Sequence, residues 1–280
     1  MGDMDYYRLL KQHFGFEKGR YVSADLRAWV SEAMQIVKSS NLQPVKQQSV
    51  KNYLNKLGRG KLDNKPFILP KDREPINAKD WNSWLVAQTA QRGFSLIISN
   101  KSIEGSISID EIDDGDESWE IPASIDVLRN APDIMSTLAP MIEISMSLTI
   151  IDPFFRLTKN ATLVELLQPG RFVNLKKITI VSAMESPDAQ LVFDREYRLL
   201  VQQNMLFKWL KMPEKYFHER YAITDIGAIR SGPGFMEQTI RGANSDYAPF
   251  NLISKLEADR ALSDLARLIE QEKAIEILSS

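Results

Sequence analysis

His218, Arg220 and Asp225 fall within eight residues, followed by Arg230, Gly232 and Gly234. These side chains and glycines suit the handling of an anion. In an extended segment residues i and i+2 point to the same side, so His218 and Arg220 are expected to project together. A guanidinium is a planar fork that grips phosphate bidentately. A carboxylate such as Asp225 can orient an imidazole or pair with a neighbouring cation. The glycines let backbone N–H groups approach an anion closely, and Arg230 could add a contact or pair with Glu237.

The elements that must carry these residues read as strand–helix–strand in the C-terminal half. Ser147 to Asp152 and Lys177 to Ser182 are short apolar runs with the look of buried strands, with a helix at Thr162 to Leu167 between them. Tyr216 to Thr224 and Ala228 to Arg230 read as strands around a tight turn. The periodicity predicts helices over 125–142 (broken by Pro132), 188–210 and 257–277. That alternation gives an α/β sheet covered by helices from residue 123 to 280. Residues 1–70 read as mainly helical, with Leu26, Val30, Ala33 and Val37 at helical spacing. A second helix opens at Pro44, carries Val50, Leu54 and Leu57, and ends at Gly58. The two helices and their short link resemble a helix-turn-helix. Residues 71–122 read as a connector with small strands and an acidic hairpin tip at 113–116.

Here the pattern becomes more specific. His218-x-Arg220-x4-Asp225-x6-Gly232 resembles the H-x-K-x4-D-x6-G motif of the phospholipase D superfamily, with arginine in the lysine position. Ile150-Ile151-Asp152-Pro153-Phe154-Phe155 resembles the opening strand of those domains, and Ile178 to Ser182 the next. Gly232-Pro233-Gly234-Phe235-Met236-Glu237, with the H-x-R, is similar to the phospholipase-D-like C-terminal domain of MIT-domain proteins, a group that binds without turnover. The resemblance covers residues 125–280. It implies a catalytic set of His218, Arg220 and Asp225, and a phosphate-binding set of Arg220, Arg230, Gly232 and Gly234. Superfamily catalysis uses two imidazoles, one attacking phosphorus and one protonating the leaving oxygen. With one motif, the resemblance implies a homodimer sharing His218 across a two-fold axis, as in the superfamily's small bacterial nucleases. Pro233 and Met236 replace polar residues of the motif, which weights binding above turnover.

Composition bounds the remaining choices. The chain has 280 residues, 44% hydrophobic, with no cysteine and two histidines, so disulfides are excluded and a zinc site would need mostly carboxylates. No metal or cofactor is expected. No apolar run approaches the length of a membrane span, and the N-terminus lacks the pattern of a secretory leader, so the expected compartment is the cytoplasm. Net charge is −2, unevenly spread. Between Lys38 and Arg73 nine basic residues face two acids, whereas Glu104 to Glu120 holds eight acids and no base. Lys46, Lys51, Lys56, Arg59 and Lys61 are the candidate nucleic-acid contacts. Three readings stay open at this point. The leading one is a phosphate-recognising protein that binds nucleic acid as a homodimer, in bacterial defence or DNA maintenance by analogy. The second is a metal-independent phosphodiesterase or nuclease. The third is a non-catalytic adaptor for a protein or phosphoinositide.

Overall fold

A computed structural model describes residues 9–10, 13–23, 26–62, 67–68, 81–91, 94–99, 103–238 and 246–280. The chain divides into two compact units, Met1–Ile121 and Pro122–Ser280. Of the connector expected over 71–122, residues 71–80, 92–93 and 100–102 lie outside the described residues.

The first unit is built on helices α1 (Leu26–Ser39) and α2 (Pro44–Gly58). Pro44 occupies the first turn of α2, where its missing N–H costs nothing. Val50, Tyr53, Leu54 and Leu57 form the buried stripe of α2 and share a core with Val37, Phe14, Ile107, Ile112 and Trp119. A Cβ at Gly58 would meet the Val30 side chain at 3.5 Å, an ordinary van der Waals distance, so α1 and α2 approach closely at this point without requiring glycine. A third helix, α3, spans Trp81–Gln91. Strands β1 (Val22–Ser23) and β2 (Phe67–Ile68) pair in parallel, as do β3 (Ile97–Ile98) and β4 (Ser106–Ile107). The acidic hairpin is therefore corrected. Ser108 caps a short helix α4 (Ile109–Asp113), its hydroxyl accepting from Glu111 N–H while the Glu111 carboxylate accepts from Ser108 N–H. This reciprocal cap turns Ile109 into a helix start and ends the strand at Ile107.

The second unit is a mixed α/β sheet of eight strands with helices on both faces. The strands are β5 (Ser124–Leu128), β6 (Ser147–Ile151), β7 (Lys177–Ser182), β8 (Leu206–Lys211), β9 (Tyr221–Thr224), β10 (Ala228–Ser231), β11 (Tyr247–Leu252) and β12 (Ile275–Ser279). Their spatial order is β12-β8-β7-β6-β9-β10-β11-β5. β6, β7 and β8 run parallel; the other pairs are antiparallel. Helices α5 (Ala131–Glu143), α6 (Ala161–Leu167) and α7 (Ala189–Glu196) share one core with Leu148, Ile150, Ile178, Ile180, Phe207 and Trp209. Helix α8 (Lys255–Glu270) lies on the other face. Its Glu257 meets Tyr221 and Arg230, whose strand neighbours Ala222 and Ile229 belong to the first core.

Three sequence expectations change here. The helix over 188–210 ends at Glu196, and Leu206–Lys211 is strand β8, in which Phe207 and Trp209 alternate inward with Lys208 between them. Residues 125–142 divide into β5 and α5, with Asn130 capping the helix and Pro132 in its first turn. The last helix stops at Glu270. Glu272 then takes a left-handed conformation, and residues 275–279 pair with β8 as an edge strand.

Candidate phosphate and nucleic-acid sites

Asp152 follows β6 directly and is 1% exposed. Its two carboxylate oxygens are held by the backbone: one accepts from Phe154 N–H at 2.9 Å, the other from Phe235 N–H at 3.0 Å. The second bond requires the Ser231–Phe235 loop to press against the carboxylate. Gly234 makes this possible, with φ +96° and no side chain: a Cβ there would lie 2.2 Å from Asp152 Oδ2. Ser231 Oγ fixes the same loop by donating to Gly234 C=O at 3.1 Å.

Arg220 reaches this point from the strand next door. Its carbonyl accepts from Ser231 N–H at 3.1 Å, extending the β9–β10 ladder by one residue. Its Nε lies 3.7 Å from Asp152 Oδ1, and its guanidinium carbon is 5.1 Å from the Phe154 ring centroid. Burial raises the Asp152 pKa above the usual carboxylate value, against the two backbone hydrogen bonds and the charges of Arg220 and Arg129. The arrangement holds a partly exposed guanidinium at the end of the sheet, steadied by a carboxylate and an aromatic ring.

The other motif residues are not gathered there. β9 starts at Tyr221, so His218 stands in an exposed loop after the Glu214–Tyr216 turn, and the same-face argument does not reach it. No described residue hydrogen-bonds to its imidazole. Asp225 lies past the opposite end of β9, roughly 16 Å from Arg220 at about 3.3 Å per strand residue. Its Oδ1 accepts from Met146 and Ser147 N–H, at 2.9 and 3.1 Å, and anchors the start of β6. It does not orient His218. Arg230 pairs in register with Tyr221, so it faces α8 and not Arg220; its Nη1 lies 3.2 Å from Glu257. Gly232 has open space where a Cβ would stand. Of the aromatic residues that precede the motif, Trp209 is in the core, and Tyr216 and Phe217 are half-buried, so none offers an open ring for a base.

Sequence reasoning passed over Arg156, four residues beyond Asp152. Its Nη2 lies 4.0 Å from Glu237, and its Nε is buried with no hydrogen-bond partner. The Asp-Pro-Phe-Phe-Arg run was the available signal, since a cation just after a strand-ending turn is placed at the same rim as Asp152.

In the first unit, α2 contains three lysines and no acid. Gln48, Asn52 and Asn55 lie opposite the buried stripe, with Arg59 continuing the row at the C-cap. Lys51 and Lys56 flank that row, and Lys61 follows it. Lys46 sits apart, in the first turn above Val50 and Tyr53. Lys51 Nζ donates to Gln47 Oε1 at 3.0 Å, and Gln48 Nε2 donates to Asn52 Oδ1 at 3.0 Å. None of the five cations forms an ion pair with a described residue.

Among the described residues no cluster of three or more histidines or acids could hold a metal, and no helix is long and apolar enough to cross a membrane. Comparison with known protein families and with curated proteins found no match. Among solved structures the chain is similar to TrmBL2, an archaeal chromatin protein described as showing a novel mode of DNA binding. The identity is 14%, the match covers 99% of this chain and 100% of that one, and the TM-score is 0.33. A score that low establishes neither a common fold nor common contacts.

Proposed function

We propose that the protein is a cytoplasmic, homodimeric nucleic-acid-binding protein whose second unit is a phospholipase-D-like domain used for phosphate recognition. The observation that carries the nucleic-acid reading is the outer face of α2. It presents three amide side chains in one row between Lys51, Lys56 and Arg59, with no acid anywhere on the helix. Amides and cations are the groups that read base edges and hold phosphates, and a packed two-helix unit presents such a row rigidly.

In the second unit, Arg220 supports holding a phosphate, while the surroundings of His218 speak against turnover. A phosphoryl-transfer imidazole needs an orienting partner, and Asp225 is committed to the start of β6. The deciding experiment is duplex-DNA binding by fluorescence anisotropy across a salt series, for the wild type and for Lys51→Ala/Lys56→Ala/Arg59→Ala. The triple variant is expected to lose on the order of a hundredfold in affinity, and its salt slope to flatten by up to ~2.7, about 0.9 per phosphate contact. Equal binding and equal slope would remove α2 from the interface. Incubation with DNA and RNA in EDTA is expected to give no cleavage. Cleavage abolished by His218→Ala would replace this reading with the phosphodiesterase. The dimer is checked by sedimentation equilibrium, and a monomer at micromolar concentration would overturn that part.

A further inference from the structure

Two acids and two arginines meet around the Gly234–Glu237 segment, and their hydrogen bonds are unequally distributed. Both Asp152 oxygens accept from backbone amides. The Glu237 carboxylate accepts from Ala161 N–H, Thr162 N–H and the Thr162 hydroxyl, at 3.2, 3.3 and 3.0 Å. The acids are thus satisfied without the arginines. Arg220 stands 3.7 Å from Asp152 and Arg156 stands 4.0 Å from Glu237, close enough for attraction but beyond hydrogen-bond distance. Neither guanidinium donates a hydrogen bond to a described residue, and Arg156 Nε is both buried and unpartnered. A guanidinium has five N–H donors, and the Arg156 and Arg220 side chains are 33% and 24% exposed, so a ligand can approach both.

Phe154 lies two residues before Arg156 in sequence, and its ring stands beside the Arg220 guanidinium. It is 44% exposed, unusual for a ring at the end of a central strand, and one side of it is covered by Arg220. An exposed ring beside unspent guanidinium donors matches the needs of a nucleotide whose base is unstacked from its own strand: a flat apolar surface for the base and a planar fork for the phosphate. A paired base in a duplex has both faces already stacked and cannot use the ring.

We infer that Phe154, Arg156 and Arg220 form a site for single-stranded nucleic acid, with a base on Phe154 and the adjoining phosphates on the two arginines. The site rests on the reading of Arg220 as a phosphate ligand. It adds two residues outside the motif and names the strand form. Arg230, tied to Glu257 on the opposite sheet face, is not part of it.

The test is anisotropy with a fluorescein-labelled twelve-residue oligothymidine and with a labelled duplex, titrated with the full chain. Phe154→Ala and Arg156→Ala are each expected to weaken oligothymidine binding about tenfold, and duplex binding less than twofold. Phe154→Ala removes an exposed ring, so it also guards against misfolding of the arginine variant; unchanged circular dichroism and melting temperature certify both. Wild-type binding of the duplex with unchanged oligothymidine binding by both variants would overturn this site and leave the α2 interface standing. Absence of binding to either probe would overturn both readings. Displacement of oligothymidine by millimolar inorganic phosphate alone, with Phe154→Ala indistinguishable from wild type, would reduce the site to free-phosphate binding and overturn the assignment of a strand.

Discussion

Gly234→Ala is expected to lower the melting temperature by ~5–15 °C, while Gly232→Ala, two residues away, shifts it by no more than about 2 °C. At Gly234 two costs combine. A side chain at φ +96° is strained by roughly 1–2 kcal/mol. Its Cβ would also stand 2.2 Å from Asp152 Oδ2, where no packing adjustment short of moving the carboxylate accommodates it. Moving the carboxylate breaks its bond from Phe235 N–H and leaves a buried donor or acceptor unpaired, a further cost of about 1–3 kcal/mol. The Arg220 side chain, 3.2 Å from the same Cβ position, is displaced with it, so nucleic-acid binding through Arg220 should weaken in parallel. Gly232 has no atom within 4 Å of its Cβ position. Calorimetry on both variants separates the two glycines. Equal melting temperatures would mean that the loop does not press on Asp152. A double variant with Asp152→Ala gives a second check: with the carboxylate absent the clash disappears, and the two effects should be less than additive.

The parts of this fold legible in the sequence were those where one physical signal dominates. β6 and β7 are central parallel strands buried on both faces, so they appear as unbroken β-branched runs and their limits were readable to within a residue. α2 is bracketed by Pro44 and Gly58. β8 was lost because Leu206 and Leu210 continue, four residues apart, the apolar series begun in α7, and the alternation of Phe207 and Trp209 was absorbed into a longer helical pattern. β12 is an edge strand in which only Leu278 is fully buried, which leaves little pattern to read. The candidate site was legible in type but not in geometry. Asp152 and Arg220 meet because β6 and β9 are neighbours, a pairing that the sequence pattern does not specify. Asp225 does not join them, because five intervals along a straight strand separate residues as effectively as a domain's core does. Only a turn within 221–224 would have brought it back to His218, and Tyr221–Thr224 pairs with β6 throughout and with β10 as far as Ile223. Arg156 belongs to no motif. Its importance appears only once Glu237 is seen to be satisfied by the start of α6.

Asp152→Ala is expected to cost about 2–4 kcal/mol, mainly because two backbone donors lose a buried acceptor. Phe154 and Phe235 N–H would both lose their acceptor, and Arg220 the carboxylate beside it. Asp152→Asn keeps the shape but can satisfy only one of the two amides well, because its NH2 group faces the other donor. The pH profile isolates the carboxylate itself. Burial raises its folded-state pKa above the ordinary value of about 3.9, so in the interval between the two values the folded chain binds more protons than the unfolded one. Stability from this group therefore falls as pH rises through that interval and is recovered as pH falls. The difference in unfolding free energy between wild type and Asp152→Asn should move in that direction in urea titrations at a series of pH values. A difference independent of pH would show that Asp152 titrates normally. Protonation also removes the negative charge next to Arg220, leaving its guanidinium less compensated. Anion binding should accordingly tighten as pH falls through the same interval in the wild type and stay level in Asp152→Asn, since a ligand that prefers the protonated form must raise that pKa further by the same coupling.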